Sequence, residues 1–263
     1  MNNPIPKTEL IPLHDSEWLG RQRIAGFITA KCLKKSFDLI SNKTPNLTLR
    51  DIEHECELII NENNAVATFK NYNGFPSSIC ASVNKQIVHG IPDDYILQEG
   101  DIVKIDVGVT IEHAIGDAAL TVIYGEPKKP QHKELVLACK KSLDLAIKAI
   151  SVGKQLGIIG ETIYRHARDT RFKVITEYGG HGIDEDTLHA KPFVDNKSKS
   201  NLGVRIQQGM TFTIEPMFAI GDDKVKLDKN NWTLLTKDMS AHFEHTLFIH
   251  EDNTEILTDW ENI

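Results

Sequence analysis

Two carboxylates stand among apolar residues in the stretch 101–123, DIVKIDVGVTIEHAIGDAALTVI, and they limit the folds open to this chain. Val103, Ile105, Val107 and Val109 alternate, the period-2 pattern of a half-buried strand. Asp106 falls on the opposite face beside Gly108, which leaves open space next to it. A turn is expected over residues 112–116, after which Asp117 opens a second strand, AALTVI. Antiparallel strands joined by a short turn bring Asp106 and Asp117 side by side. Carboxylates that close repel unless a proton or a cation lies between them, and a hard divalent metal meets that need. A second reading stays open here: solvated aspartates that keep an exposed strand edge from pairing with another chain.

The chain has 263 residues, enough for one large domain or two halves sharing a core. Lys+Arg 30 against Asp+Glu 37 gives a net charge of −7, which carries no nucleic-acid footprint. No apolar run approaches the roughly 20 residues of a membrane span. The start, MNNPIPKTELIPLHD, lacks the basic residues and apolar core of a signal peptide. Cys32, Cys56, Cys80 and Cys139 are scattered without a CxxC pair, as expected of reduced thiols in a cytoplasmic protein.

Residues 1–14, with Pro4, Pro6 and Pro12, read as an extended arm ahead of a folded unit over 15–263. Asp15 or Ser16 can cap a helix running to about Ile40, with Ile24, Phe27, Ile28, Leu33 and Phe37 as its apolar stripe. Thr48 opens a second helix, with Asp51 at the capping-box spacing. Strands and a Gly-Pro loop follow, then a turn carrying His89. After residues 125–130 the order repeats: helices over about 131–150 and 158–170, then strand-like KVITEYGGHGI, MTFTIEPMFAI and SAHFEHTLFIH. Helix, turn, helix and strands, occurring twice, predict an α+β fold of two halves related by a pseudo-two-fold axis and sharing a sheet.

The second half adds further candidates. His181 follows Tyr178-Gly179-Gly180 at the end of a predicted strand, where glycines admit close neighbours. Glu215 is embedded in FTIEPM and Glu244 in HFEHTLFI. An isolated carboxylate is costly to bury in such a setting. A salt bridge explains one such residue more easily than four on strands, accompanied by a histidine. Four carboxylates balance two divalent cations, and a neutral imidazole completes the shell.

The ordered set Asp106, Asp117, His181, Glu215, Glu244 resembles the metal-binding set of the methionine aminopeptidases and their prolidase-like relatives. HGIPDD (89–94), GDIVKIDVGV (100–109), GHGI (180–183), MTFTIEPM (210–217) and FEHT (243–246) resemble the bacterial type I enzymes in particular. The similarity runs from about residue 15 to the end of the sequence. It implies the pita-bread fold, two pseudo-symmetric halves with a central antiparallel sheet covered by helices. It also implies hydrolytic removal of the initiator methionine from nascent proteins with a small second residue, through a hydroxide held by a dinuclear site. Two divalent ions (Co, Mn, Fe or Zn) are implied. Asp106 would chelate one, His181 and Glu215 the other, and Asp117 and Glu244 would bridge. Glu215 would also relay a proton.

By the same resemblance, His89 and His189 contact the substrate amide and stabilise the tetrahedral intermediate. Without it, His89 reads as a turn histidine capping local backbone. Phe69, Tyr72, Phe75, Cys80, Leu188 and Trp232 correspond to the methionine pocket, where rings and a thiol suit a thioether. Phe69 and Cys80 read equally well as core residues. The family implies a cytoplasmic monomer acting on N-termini of nascent chains near the ribosome, any ribosome contact coming from the catalytic unit's own surface. No nucleic acid or membrane partner is expected.

The sequence departs from the family pattern at HGIDEDTLHAKP, one residue longer between its histidines than the usual HGIGxxFHxxP. Asp184 replaces a glycine, Leu188 a phenylalanine, and Glu185 and Asp186 add charge. Phe69 stands where a smaller residue is common. The register of His189 and one pocket wall therefore depend on how residues 184–190 fold. Of the rival readings, proline-specific peptidases of this fold carry an extra N-terminal domain, and type II enzymes an insertion between the counterparts of His181 and Glu215. Non-catalytic binding modules on the scaffold lose metal ligands that this chain keeps.

Overall fold

Asp15 starts the first helix as the sequence predicts, its carboxylate accepting hydrogen bonds from the backbone N–H groups of Glu17 and Trp18. In this computed structural model, which describes residues 11–263, α1 spans Ser16–Ser41. Of the arm expected over 1–14, residues 1–10 lie outside the described residues, and no helix or strand includes 11–14. Helix α2 spans Leu49–Glu62, closed by the reciprocal Thr48–Asp51 capping box. In the second half, α3 spans Pro130–Ala149, with proline in its first turn, and α4 spans Gly157–Asp169.

The first-half strands are β1 (Val66–Ala67), β2 (Cys80–Val83), β3 (Gln86–Val88), β4 (Asp101–Ile111) and β5 (Ala114–Tyr124). The second half contributes β6 (Lys173–Val174), β7 (Gly180–Asp184), β8 (Thr187–Val194), β9 (Thr211–Ile214) and β10 (Met217–Ala219). It continues with β11 (Lys226–Leu227), β12 (Leu234–Leu235), β13 (Ser240–His242), β14 (His245–Ile249) and β15 (Thr254–Ile256). Strand β4 pairs with β1, β2 and β5, and the second half's largest sheet has the order β15-β14-β9-β7-β8. All strand pairings are antiparallel among the described residues.

The hairpin is tighter than expected. Strands β4 and β5 pair from Asp101↔Tyr124 to Ile111↔Ala114, so the turn is only Glu112 and His113, both with positive φ (46° and 68°). Two such residues match the right-handed twist of the strands, and 114–116 belong to β5 instead of the turn. The three predicted second-half strands are each interrupted. Residues 175–179 separate β6 from β7, Glu215-Pro216 separates β9 from β10, and Phe243-Glu244 separates β13 from β14. Pro216 has no N–H to donate. Glu244 instead forms an isolated bridge to Ala119 on β5, with N···O distances of 2.9 and 3.3 Å. That bridge joins the two halves.

Helix α1 packs across β5 and β4 on a face different from the predicted stripe. Ile28 and Leu33 are buried, but Ile24 and Phe27 are 49% and 51% exposed. The buried face instead carries Gln22, Ala25, Gly26 and Thr29, whose small or hydrogen-bonding side chains let the helix backbone approach the sheet. A Cβ on Gly116 would lie 2.6 Å from both the N and Cα of Gly26. Thr29 Oγ1 donates to Gly116 O at 3.0 Å and Gln22 Nε2 to Ile115 O at 3.1 Å. This contact lies directly beside Asp117.

Gly116→Ala should destabilise the protein by about 1–3 kcal/mol, because the added methyl meets backbone that cannot rotate away. Gly20→Ala, at an exposed position of helix α1 with nothing within 4 Å, should be neutral or stabilising. Urea unfolding of both variants measures the difference.

A candidate metal centre

Asp106 on β4 is opposite Cys80 of β2 and Ala119 of β5, whereas Asp117 is opposite Gly108. The aspartates are therefore diagonal neighbours on one face, a separation their side chains can span. The space expected beside Gly108 is filled: the Phe69 ring covers it so closely that a Cβ there would meet Phe69 Cε1 at 2.6 Å. Asp117 is anchored by its backbone, its N–H donating to Thr246 Oγ1 at 2.9 Å while that hydroxyl donates to Asp117 O at 2.6 Å.

His181 is the second residue of β7, so it begins a strand instead of ending one. A Cβ on Gly180 would meet Thr213 O at 2.1 Å and one on Gly182 would meet Lys191 O at 2.0 Å, so both flanking glycines serve close approach. His181 Nδ1 lies 3.1 Å from Gly182 O. A proton on Nδ1 satisfies that carbonyl and leaves the Nε2 lone pair facing Asp117 Oδ2 at 3.6 Å and Glu244 Oε1 at 3.9 Å. Glu215 and Glu244 occupy the strand breaks, not the strands predicted for them. Glu215 Oε2 is 3.3 Å from His242 Nε2.

Ligand-capable atoms of Asp117, His181 and Glu244 lie within 4.8 Å of one another, and so do those of Glu215, His242 and Glu244. Asp106 Oδ1, Asp117 Oδ1 and Glu244 Oε1 are buried without a hydrogen-bond partner. Burial, and then the charge of Asp117, pushes the carboxyls of Asp106 and Glu244 well above the usual carboxylate range. Burial works against the Glu215 carboxylate too, but His242, together with His181 and His189, outweighs it and holds its pKa down. An oxygen-rich donor set with one inward imidazole and unpartnered carboxylate oxygens fits divalent cations.

The other predicted residues border the same cleft. Its lining includes His89, His189, Phe69, Tyr72, Phe75, Cys80, Leu188 and Trp232 together with Asp106, Asp117, His181, Glu215 and Glu244. The extra residue of the 184–190 segment is absorbed by register shifts between β7 and β8, with Asp184 opposite Thr187. The acidic turn is tied back to the first half, His113 Nδ1 lying 2.7 Å from Asp186 Oδ2 and Asp186 N donating to His113 O at 3.1 Å. His189 consequently faces the centre, its Nδ1 2.8 Å from the Tyr72 hydroxyl and its ring centroid 4.4 Å from that of His181. Burial lowers the pKa of both His89 and His189, favouring neutral imidazoles. Phe75 and Trp232 meet edge to face at 5.2 Å.

Sequence reasoning missed His242, Asn73 and Val88. Asn73 and Val88 line the cleft without any motif to mark them. The spacing of HFEH was a usable signal for His242, since residues two apart share a strand face.

The raised carboxyls of the metal-free site keep protons that the unfolded chain has released. Stability of the metal-free protein should therefore fall as pH rises from the ordinary carboxylate range through those raised pKa values. Adding Mn²⁺ should release protons and raise the melting temperature more at about pH 8 than at about pH 5.5. Scanning calorimetry of chelator-treated and reloaded protein measures both.

The chain matches metallopeptidase family M24 over residues 21–251. It is 37% identical to a methionine aminopeptidase of Mycoplasma capricolum, over 96% of this chain and 100% of that protein. The crystal structure of a methionine aminopeptidase from Thermotoga maritima superposes with a TM-score of 0.91 at 36% identity, covering 95% of this chain and 99% of that one. A prolidase from Pyrococcus furiosus shares the fold, with a TM-score of 0.74 at 19% identity over 94% of this chain and 65% of that one.

Proposed function

This chain belongs to metallopeptidase family M24, and from that premise we propose that it is a metal-dependent aminopeptidase releasing the N-terminal methionine of polypeptides with a small second residue. The observation that carries the reading is one cleft joining a buried carboxylate–histidine cluster to an apolar wall of rings and a thiol. Two divalent ions are assigned to the cluster, of the Co, Mn, Fe or Zn kind. When bound, they supply Lewis acidity, which polarises a scissile carbonyl and acidifies water.

Asp106, Asp117, His181, Glu215 and Glu244 would hold these ions. The His181 Nδ1 contact to Gly182 O keeps Nε2 available as a ligand. Glu215, beside His242, can take a proton from the attacking water and pass it to the leaving amine. Neutral His89 and His189 donate N–H bonds to the substrate amide and to the oxygen that gains charge in the transition state. The contact of His189 Nδ1 with Tyr72 leaves Nε2 for that role. The methionine side chain lies against Phe69, Tyr72, Phe75, Cys80, Leu188 and Trp232. Thioether sulfur packs well on aromatic edges, and Phe69 over Gly108 narrows this wall.

Residues 15–263 act as one catalytic unit, a monomer in the cytoplasm that meets nascent N-termini close to the ribosome. No helix of the described residues is long and apolar enough to cross a membrane.

Asp106→Asn should lose divalent-metal binding and turnover together. His89→Ala should keep its metal while kcat falls by about 10²–10³ through loss of an oxyanion donor. Metal content by elemental analysis, read beside peptide hydrolysis, separates the two variants. Full metal with unchanged turnover in either would remove that residue from the site.

A further inference from the structure

Lys104 is 2% exposed and is the largest fully buried side chain among the described residues. No carboxylate forms an ion pair with it among those residues. Its Nζ instead donates to three main-chain oxygens, those of Asn84 at 2.8 Å, Ile102 at 3.2 Å and Ser240 at 3.3 Å. The three carbonyls come from three segments. Asn84 lies in the turn between β2 and β3 with φ +58°, Ile102 is on β4, and Ser240 opens β13. Ser240 closes the same knot, its N–H and Oγ both reaching Asn84 O, at 3.2 and 3.0 Å.

An amino group buried without an ion-paired carboxylate is expensive, so an apolar residue would serve better if only volume were needed. The placement indicates another need. Lys104 precedes Asp106 by two positions on β4, and alternate residues share a strand face. Ser240 begins β13, which ends at His242, beside Glu215 and two residues before Glu244, which bridges to Ala119. The carbonyl knot therefore ties the strand that carries Asp106 in one half to the segment that carries Glu244 in the other.

We propose that Lys104 is a positioning residue, a tethered amino group that draws the Ser240 carbonyl onto those of Asn84 and Ile102 and so holds β13 and Glu244 in register with Asp106. The proposal rests on the reading that these carboxylates hold divalent ions. It does not depend on which peptide is cleaved.

The test is Mn²⁺ binding by calorimetry to metal-free wild type, Lys104→Ala and Lys104→Met, in matched methylammonium and tetramethylammonium chloride. Lys104→Ala should bind Mn²⁺ about tenfold or more weakly, the usual loss when support of a metal ligand is removed. Methylammonium, which brings N–H donors to the vacated space, should restore binding, whereas tetramethylammonium should not. Lys104→Met keeps the volume without the donors and should stay weak in both salts. If Lys104→Ala folds only in methylammonium, as read by its melting curve, the proposal is equally supported. Wild-type affinity in either variant, or no recovery of Lys104→Ala in methylammonium, overturns it. A wild-type chain that binds no Mn²⁺ contradicts the metal reading itself, and failure of peptide hydrolysis alone leaves the positioning role standing.

Discussion

Four carboxylates crowd one cleft with no lysine or arginine paired to them among the described residues, and their mutual repulsion is the constraint the rest of the structure must meet. Asp106 and Asp117 come from one hairpin, Glu215 and Glu244 from two separate segments of the other half. Unopposed, such a cluster would be driven apart or kept protonated. The fold opposes separation through main-chain anchors: the Thr246–Asp117 pair of hydrogen bonds, the Ala119–Glu244 bridge and the His181–Thr213 contact. What remains unsatisfied is charge, and several carboxylate oxygens are left buried without a donor. Divalent cations satisfy it more completely than protons, because each cation contacts several oxygens at once.

The irregular features of the sheets serve that cluster. A continuous strand through Glu215 or Glu244 would project alternate side chains to opposite faces and give the sheet a uniform ladder. Breaking the ladder at Glu215-Pro216 and Phe243-Glu244 lets those carboxylates turn inward while their flanking residues stay paired. Gly116 and Gly26 act at the next layer out. They bring helix α1 onto β5 beside Asp117, and Gln22 and Thr29 hydrogen-bond to the strand there. Support for the cluster therefore reaches from the carboxylates through backbone to helix packing.

The parts of this arrangement that were legible in the sequence were those fixed locally or by motif. The Asp15 cap and the Thr48–Asp51 capping box set helix starts through side chains within three residues, so α1 and α2 begin where expected. All thirteen residues chosen from motif and resemblance border one cleft. Features decided by distant partners were not legible. The strand-like segments of the second half read as continuous strands, and nothing local marks that Glu244 pairs with Ala119 of the other half. Gly108 promised space that Phe69 fills from another segment, and Ile24 and Phe27 lost the interior to smaller residues whose value lies in close helix–sheet approach. The turn at Glu112-His113 carries no glycine, and its two positive φ angles are imposed by the hairpin.

The cleft places an apolar wall next to the carboxylates, and the 184–190 segment lines it through Leu188 and His189. The most direct measurement is hydrolysis of Met-Ala-Ser and Ala-Pro-Ser by Mn²⁺-loaded protein, with the released amino acid identified by mass spectrometry. Release of methionine from the first peptide and nothing from the second is the predicted result. Alanine released ahead of proline, or neither peptide cleaved while the metal is bound, would contradict it.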